Sequence, residues 1–483
     1  MNFKRLVSTV SLLAIFTMAL RISVTSDTWW HLRAGSWIVE NGQLLRQDLF
    51  SLTRLGQPWL YPGWLAQIAM IGTFERLGFP GLNLFTALSV LIGFAFVWKS
   101  VEAPVLLKGF TFILAAACAG VYWSARPQIL SFALTGAWIW ALQRGRLHGP
   151  RALWVWPALM ALWVNLHGGF AVGLLLLAVE LISAGLDRIT PSRFGIPPSA
   201  GPALGLARIA AGAGVSVASV SLNPSGPLML AYPFKTVSIG VLQDYIQEWQ
   251  SPNFHSLELQ PFLWMLLLTV AFLALSPESP NWRELLSIAA FAYLSFLAAR
   301  NIALFALVVL PILTRHMALT LQSWFPSRAP AKQLPARTAK AVNLILLLLL
   351  AAAAVLKSIT PLSRSANESA IHEQTPVAAA DYLLETRPPG PLLNSYNWGS
   401  YVIWALYPNY LSFVDGRTDL FDDEILQEYL ELWRADPGWE DTIERWGLKT
   451  ALLEPEAPIT RELMLAGWRI LYEDPQAVVL SES

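Results

Sequence analysis

Ionisable side chains beside long apolar runs are costly unless they pair or work, and a handful in this sequence stand out for that reason. Asp27 and His31 follow the first apolar run, in Ser26-Asp27-Thr28-Trp29-Trp30-His31-Leu32-Arg33. On a helix their i,i+4 spacing places carboxylate and imidazole on one face. Such a pair can hold a divalent cation, or act as a base with its orienting partner. A membrane-surface helix with a carboxylate near its positive N-terminus also accounts for Asp27.

Asn165, His167, Gly168 and Gly169 fall between two apolar runs. The glycines admit a close backbone approach; a hairpin turn with a hydrogen-bonded histidine explains the same residues. Arg126-Pro127-Gln128 and Arg300-Asn301 sit at two other turns. One arginine at a bilayer edge can snorkel without further role. Two facing one cavity would hold phosphate oxygens. Tyr245-Ile246-Gln247-Glu248-Trp249 belongs to a long irregular loop, 222–260. Long ordered loops often serve as lids or clamps, and Glu248 is the carboxylate expected to act there, with Asp244 solvated. Further on, Asn397-Trp398-Gly399-Ser400-Tyr401 opens a helix and Asp415-Gly416-Arg417-Thr418-Asp419 follows a strand. The second segment is also a plain turn signal, with Thr418 or Asp419 as N-cap.

The elements that must position these groups are mostly apolar. Of 483 residues, 55% are hydrophobic and 14% charged, with mean hydropathy +0.47. Soluble chains carry roughly 25% charge. The net charge is zero, so no global field favours nucleic acid. The single cysteine, Cys118, lies inside an apolar run, which rules out an internal disulfide. Runs able to cross about 30 Å of hydrocarbon lie near 6–22, 82–98, 105–122, 129–143, 152–165, 170–186, 206–221, 261–275, 285–298, 302–314 and 341–356. The first also has the look of a signal peptide, but no convincing cleavage site precedes Asp27. The segment 62–78 reads as an interfacial helix. Tryptophans at run ends (29, 30, 59, 64, 123, 154, 156) fit aromatic belts.

The expected fold is thus a polytopic α-helical membrane protein of about eleven transmembrane helices ending in a C-terminal soluble α/β domain. The bundle would cover 1–356, with external loops 23–81 and 222–260, and the domain 357–483. Basic residues then fall mainly in one set of loops: Lys4, Arg5, Lys99, Lys108, Arg144, Arg146, Arg151, Arg188, Arg193, Arg208 and Arg283. Arg328, Lys332 and Arg337 add to them from a Pro- and Ala-rich linker. The positive-inside rule puts that side in the cytoplasm, with the N-terminus, and the tail outside. A bacterial-type inner membrane is the expected location. In the tail, helices are expected at 377–384, 401–406, 423–433 and 439–446, and extended segments at 392–394, 410–414, 450–453, 468–472 and 477–480. Strands alternating with helices argue for a small mixed or parallel sheet.

These motifs together resemble the GT-C superfamily of membrane glycosyltransferases, above all the catalytic subunit of oligosaccharyltransferases. Asp27 to Arg33, continuing to Ile38-Val39-Glu40-Asn41-Gly42, is similar to the family's first external loop. Tyr245-Ile246-Gln247-Glu248 resembles its Thr-Ile-x-Glu motif, and Asn397 to Tyr401 its Trp-Trp-Asp-Tyr-Gly motif. Two features depart from the pattern. The second external loop, 122–128, has Arg126 and no carboxylate, and the Asp of the Trp-Trp-Asp-Tyr-Gly motif is missing. The missing Asp, in the motif that reads the acceptor peptide, argues against glycosylation of asparagine sequons, and the reduced carboxylate set argues against metal use.

The resemblance implies transfer of a sugar from a polyprenyl-phosphate-linked donor to a glycan, lipid or protein acceptor on the external face. It casts Asp27 as general base and Glu248 as the second site carboxylate, the two also serving as ligands should a divalent cation such as Mg or Mn take part. His31, Arg126, His167, Arg300, Trp398 and Arg417 would bind substrate, with Arg126 or Arg300 holding the leaving phosphate. A catalytically inactive scaffold that binds an envelope polymer is the alternative. A transporter fits less well, because the charges gather at one face and not at mid-depth.

Overall fold

The computed structural model describes residues 2–149, 153–190, 195–199, 205–237, 239–240, 245–326 and 335–482. Asp244, Arg151, Arg193, Arg328 and Lys332 lie outside the described residues. The chain forms two compact units. The first comprises Met1–Arg21, Asn83–Pro233 and Gln247–Leu362; the second comprises Ile22–Leu82, Phe234–Ile246 and Ser363–Ser483.

The first unit is helical. Each of the eleven apolar runs coincides with a helix, from Phe3–Ala19 to Ala336–Leu362. Among the described residues six helices are long and apolar enough to cross a membrane, and Val155–Leu166 and Leu206–Leu222 are shorter apolar ones. Helix Ile302–Trp324 runs through the core, with most of its side chains buried. The Thr314 hydroxyl donates to Thr111 Oγ1 at 2.8 Å, joining it to helix Val105–Ala119, and Phe305 packs edge-on to Phe262 with ring centres 5.1 Å apart. Helix Gln128–His148 lies so close to the 83–100 helix that a Cβ at Gly136 would overlap the Gly93 carbonyl. Helix Trp282–Leu297 starts on a reciprocal cap: Asn281 Oδ1 accepts from Glu284 N, and Glu284 Oε2 accepts from Asn281 N, both at 3.0 Å.

The second unit joins residues 22–82 to the tail around a four-stranded mixed sheet. Strands β1 (Leu392–Asn394), β2 (Thr450–Leu453), β3 (Arg469–Glu473) and β4 (Val478–Ser481) lie in the order β1-β2-β4-β3. β1 is parallel to β2, and β4 is antiparallel to both β2 and β3. β1, β2 and β4 are buried along their whole length, as strands covered on both faces are. A helix does form over most of 62–78, starting at Trp64, and it runs on towards Ser100 after a break in helical backbone at Gly78 (φ +64°) ahead of Pro80.

The aromatic-belt expectation is corrected. Trp29, Trp30, Trp59, Trp123 and Trp156 are all buried. Trp123 packs against Phe94 and Phe132, and Trp156 Nε1 donates to the Ala141 carbonyl at 3.1 Å. Large rings at helix ends fill space between elements here; of that set, Trp154 has the exposure a belt residue needs.

Candidate functional site

Within the helical unit, two arginines close on one carboxylate. Arg126 sits in the turn before helix Gln128–His148, its Nε donating to Ser124 Oγ at 2.9 Å. Its Nη2 donates to Glu248 Oε2 at 2.9 Å. Arg300, in the tight turn Ala299–Asn301, places Nη1 3.4 Å from the other oxygen, Glu248 Oε1. The Arg300 guanidinium also lies over the Trp249 ring, 4.5 Å from its centre. Backbone fixes the arrangement: Ala299 N–H donates to the Gln250 carbonyl at 2.9 Å, tying the Arg300 turn to the Glu248 turn. The three side chains stay 15–26% exposed, so a ligand can reach them. Burial pushes the Glu248 pKa up, but Arg300 and Arg126 outweigh it and hold the group below its ordinary value. With two cations on one anion, the cluster carries a net positive charge.

His167 caps helix Val155–Leu166 in the same unit. Its Nδ1 accepts from Gly169 N–H at 3.0 Å and lies 2.8 Å from Ser131 Oγ, which accepts from Trp163 Nε1 at 2.7 Å. A Cβ at Gly169 would strike the Ser131 hydroxyl, which is why the turn needs glycine there. Burial, then Arg300 and Arg126, push the imidazole pKa down to about 3. His167 is therefore neutral at physiological pH, with Nδ1 as acceptor.

In the second unit, three motifs from distant parts of the chain meet. Asp27 lies in the first turn of helix Ser26–Asn41. The backbone of Gly416 comes so near that a Cβ there would overlap the Asp27 carboxylate, and Gly416 N–H donates to Ser400 Oγ at 3.4 Å. Gly399 makes this possible, since any side chain at 399 would run into the Val414 carbonyl and Asp415 Cα. Helix Tyr396–Leu406 also packs on the Asp27 helix, with Trp29 and Tyr401 ring centres 5.0 Å apart.

Other expected residues stand slightly apart from that contact. His31 is buried, its ring tilted 36° to that of Trp30 with centres 3.5 Å apart, and its Nδ1 lies 3.4 Å from Gln67 Nε2. Trp398 is 5% exposed and lines a polar cavity of about 400 Å³ with Ser26, Asn397 and Glu454. Arg417 has no exposed side-chain surface. Its Nε and Nη2 each donate to Asp415 at 2.8 Å, its Nη1 pairs with Asp48, and its face lies 4.9 Å from the Trp59 ring centre. Burial alone would lower the Arg417 pKa; Asp415 and Asp48 raise it above its ordinary value.

Asp48 is the important residue that sequence reasoning passed over. It turns the chain by accepting Phe50 N–H at 3.1 Å and Ser51 N–H at 3.0 Å. The local signal was an acid followed by Leu49-Phe50-Ser51, which reads as one loop turn among many.

The donor set does not suit a divalent cation. Among the described residues no three His, Cys, Asp or Glu side chains gather to hold one. Glu248, one of the two expected ligands, already presents both oxygens to guanidinium groups.

No protein-family model and no curated protein matches the chain. Solved structures do. The archaeal oligosaccharyltransferase AglB from Archaeoglobus fulgidus, in complex with an inhibitory peptide and a dolichol-phosphate, superposes with TM-score 0.56 at 11% identity, over 94% of this chain and 70% of that one. The Archaeoglobus fulgidus oligosaccharyltransferase tethered with an acceptor peptide gives TM-score 0.55 at 13% identity, with the same coverages of 94% and 70%. The arabinofuranosyltransferase AftD from Mycobacteria gives TM-score 0.51 at 13% identity, over 99% of this chain and 40% of that one. The chain therefore has the GT-C glycosyltransferase fold, in a form resembling the oligosaccharyltransferases.

Proposed function

We propose that this protein is a membrane glycosyltransferase that moves a sugar from a polyprenyl-phosphate-linked donor to an acceptor glycan, lipid or protein. The observation that carries the reading is the pair of guanidiniums on the two oxygens of Glu248, reachable from outside and fixed by backbone. A leaving phosphate monoester presents the same geometry as a carboxylate, with more charge. Arg126 and Arg300 hold it and offset the charge that develops as the anomeric C–O bond breaks. Glu248 keeps both side chains extended when no phosphate is present.

Asp27 is the general base. It accepts the proton of the acceptor hydroxyl as that oxygen bonds to the anomeric carbon, and the polyprenyl phosphate departs with the bonding pair, inverting the centre. The close backbone at Gly416 fixes the carboxylate, and the pocket beside Trp398 takes part of the acceptor. Arg417 serves by position: its donors face Asp415 and Asp48, so it holds the Gly416 turn against Asp27. No step is routed through a metal. All eleven apolar helices are taken to span an inner membrane, with the N-terminus in the cytoplasm and the tail outside, following the basic loops.

The test uses the full chain in lipid nanodiscs with a panel of radiolabelled polyprenyl-phosphate sugars. A membrane extract of the native host serves as acceptor source. Lipid-dependent consumption of one donor, abolished by Asp27→Ala in a variant with unchanged melting, is the expected result. Donor consumption indifferent to Asp27 would remove the base; binding of envelope polymer without any consumption would leave an inactive scaffold.

A further inference from the structure

The helical unit contains a second charged cavity that the proposed reaction does not use. It measures about 390 Å³ and is lined by Glu102, Arg146, Glu180, Arg283, Glu284 and Arg315. Glu180 and Glu284 are almost fully buried, with side chains 7% and 6% exposed. Each is matched by an arginine: Arg146 pairs with Glu180, and Arg315 Nη1 lies 2.9 Å from Glu284 Oε1 while its Nη2 pairs with the more exposed Glu278. His316 Nε2, also buried, lies 3.5 Å from Glu284 Oε2. Arg283 differs. Its Nη1 donates to the Ser199 carbonyl at 2.8 Å, and no carboxylate among the described residues pairs with it. The other part of the wall is apolar, including Leu142, Val308 and Ile312.

An interhelical latch would need the arginine–carboxylate pairs and no cavity. Here three guanidiniums border a space large enough for a phosphate and its ester, beside an apolar wall. Guanidinium groups recognise phosphate oxygens bidentately. Basic pockets between membrane helices commonly seat phospholipid heads. We infer that this cavity binds a phosphate group, that of an anionic amphiphile, with Arg283 as the first contact and Arg146 and Arg315 shared with their carboxylates. The inference stands apart from the transfer reaction.

The experiment is native mass spectrometry of the delipidated full chain, with phosphatidic acid and diacylglycerol as paired probes. Phosphatidic acid should be retained about tenfold more than diacylglycerol, the worth of one charge-assisted contact or more. Arg283→Ala and Arg315→Ala should each remove most of that preference, and Arg283→Lys should keep part of it with normal melting. Glu180→Gln releases Arg146 and should raise retention; a plain latch would lose melting temperature and gain no lipid. Inorganic phosphate at millimolar concentration separates the sources. If it displaces the lipid and raises melting by itself, the cavity also takes free phosphate; if it does neither, the site is for a lipid head. Equal retention of the two probes, or retention unchanged in both arginine-to-alanine variants, overturns the inference.

Discussion

Arg417 and Asp48 stand 369 residues apart in sequence and form an ion pair in which neither side chain has any exposed surface. Asp415 completes the group from the same turn as Arg417, so one buried cation is shared by two buried anions. Removing the cation strands both carboxylates, which costs on the order of 3–5 kcal/mol. Arg417→Ala should therefore lower the melting temperature and expose residues 363–482 to limited proteolysis. Arg417→Lys should rescue little, because an ammonium cannot reproduce the bidentate contact with Asp415. A stable, protease-resistant alanine variant that had lost only transfer would make Arg417 a substrate ligand instead.

Two glycines offer a sharper division between stability and chemistry. A methyl group at 416 would meet the Asp27 carboxylate, whereas one at 399 would meet backbone. A side chain can move aside and a packed backbone cannot. Gly416→Ala should keep the fold within about 1 kcal/mol and depress turnover at least tenfold. Gly399→Ala should destabilise the unit and lose activity as a consequence. Thermal melts read beside initial rates decide the matter; normal turnover in Gly416→Ala would detach Asp27 from the reaction.

The Glu248 cluster makes a prediction of opposite signs. Arg300→Ala removes one of the two cations and should weaken binding of a polyprenyl phosphate product by about tenfold to a hundredfold. Glu248→Gln removes the competing anion, so the same ligand should bind more tightly while its release slows. Isothermal titration of undecaprenyl phosphate into nanodisc-embedded variants tests both. Weakening in both variants would mean that Glu248 helps to bind the ligand and does not compete with it.

Acid should loosen the helical unit through His167 and Glu248. The imidazole falls from 6.5 in the unfolded chain to about 3 when folded, so the unfolded state takes up the proton first. Its contribution is complete above pH 6.5 and is lost progressively as pH drops from there towards 3. Glu248, held below its ordinary 4.5, adds a loss that begins as pH falls through that value. Melting temperature should thus decline on acidification from neutrality, and His167→Gln should flatten the part between pH 6.5 and 4.5. Parallel profiles for the two proteins would assign the acid sensitivity elsewhere.

Chelation bears on the carboxylates in another way. With both Glu248 oxygens facing guanidiniums, transfer should survive excess EDTA within about twofold. Loss of activity on chelation, restored by Mg or Mn alone, would require Glu248 to leave its arginines during turnover.

Much of the local architecture was legible because it is written in short-range patterns. Thr450 to Leu453 is a β-branched and aliphatic run after Gly447, and it forms the expected strand. Trp439–Trp446 is the expected helix, ending at a left-handed Gly447. The 423–433 helix forms as expected, and a short helical stretch from Thr418 precedes it across a non-helical break at Asp422 (φ +56°). The 410–414 segment was expected to be a strand. It does not join the sheet, and Ser412 instead bridges to Ser51. That partner lies far away in sequence, where periodicity has nothing to say. Arg417 is illegible for the same reason: a turn arginine reads as solvated until Asp48 is brought to it. Asp27, Gly399 and Gly416 were each noticed alone, and only the packing of helix Tyr396–Leu406 reveals that they form one contact.

The helix Ala336–Leu362 is strongly apolar, yet almost none of it is buried inside the protein. A segment so sparsely covered owes its place to the solvent around it more than to its neighbours. It should enter a bilayer on its own account during synthesis, before the rest of its unit has packed. Spliced between two soluble reporters, it would then work as a portable stop-transfer anchor, whereas helix Ile302–Trp324, most of whose side chains are buried, keeps its neighbours as part of its natural setting.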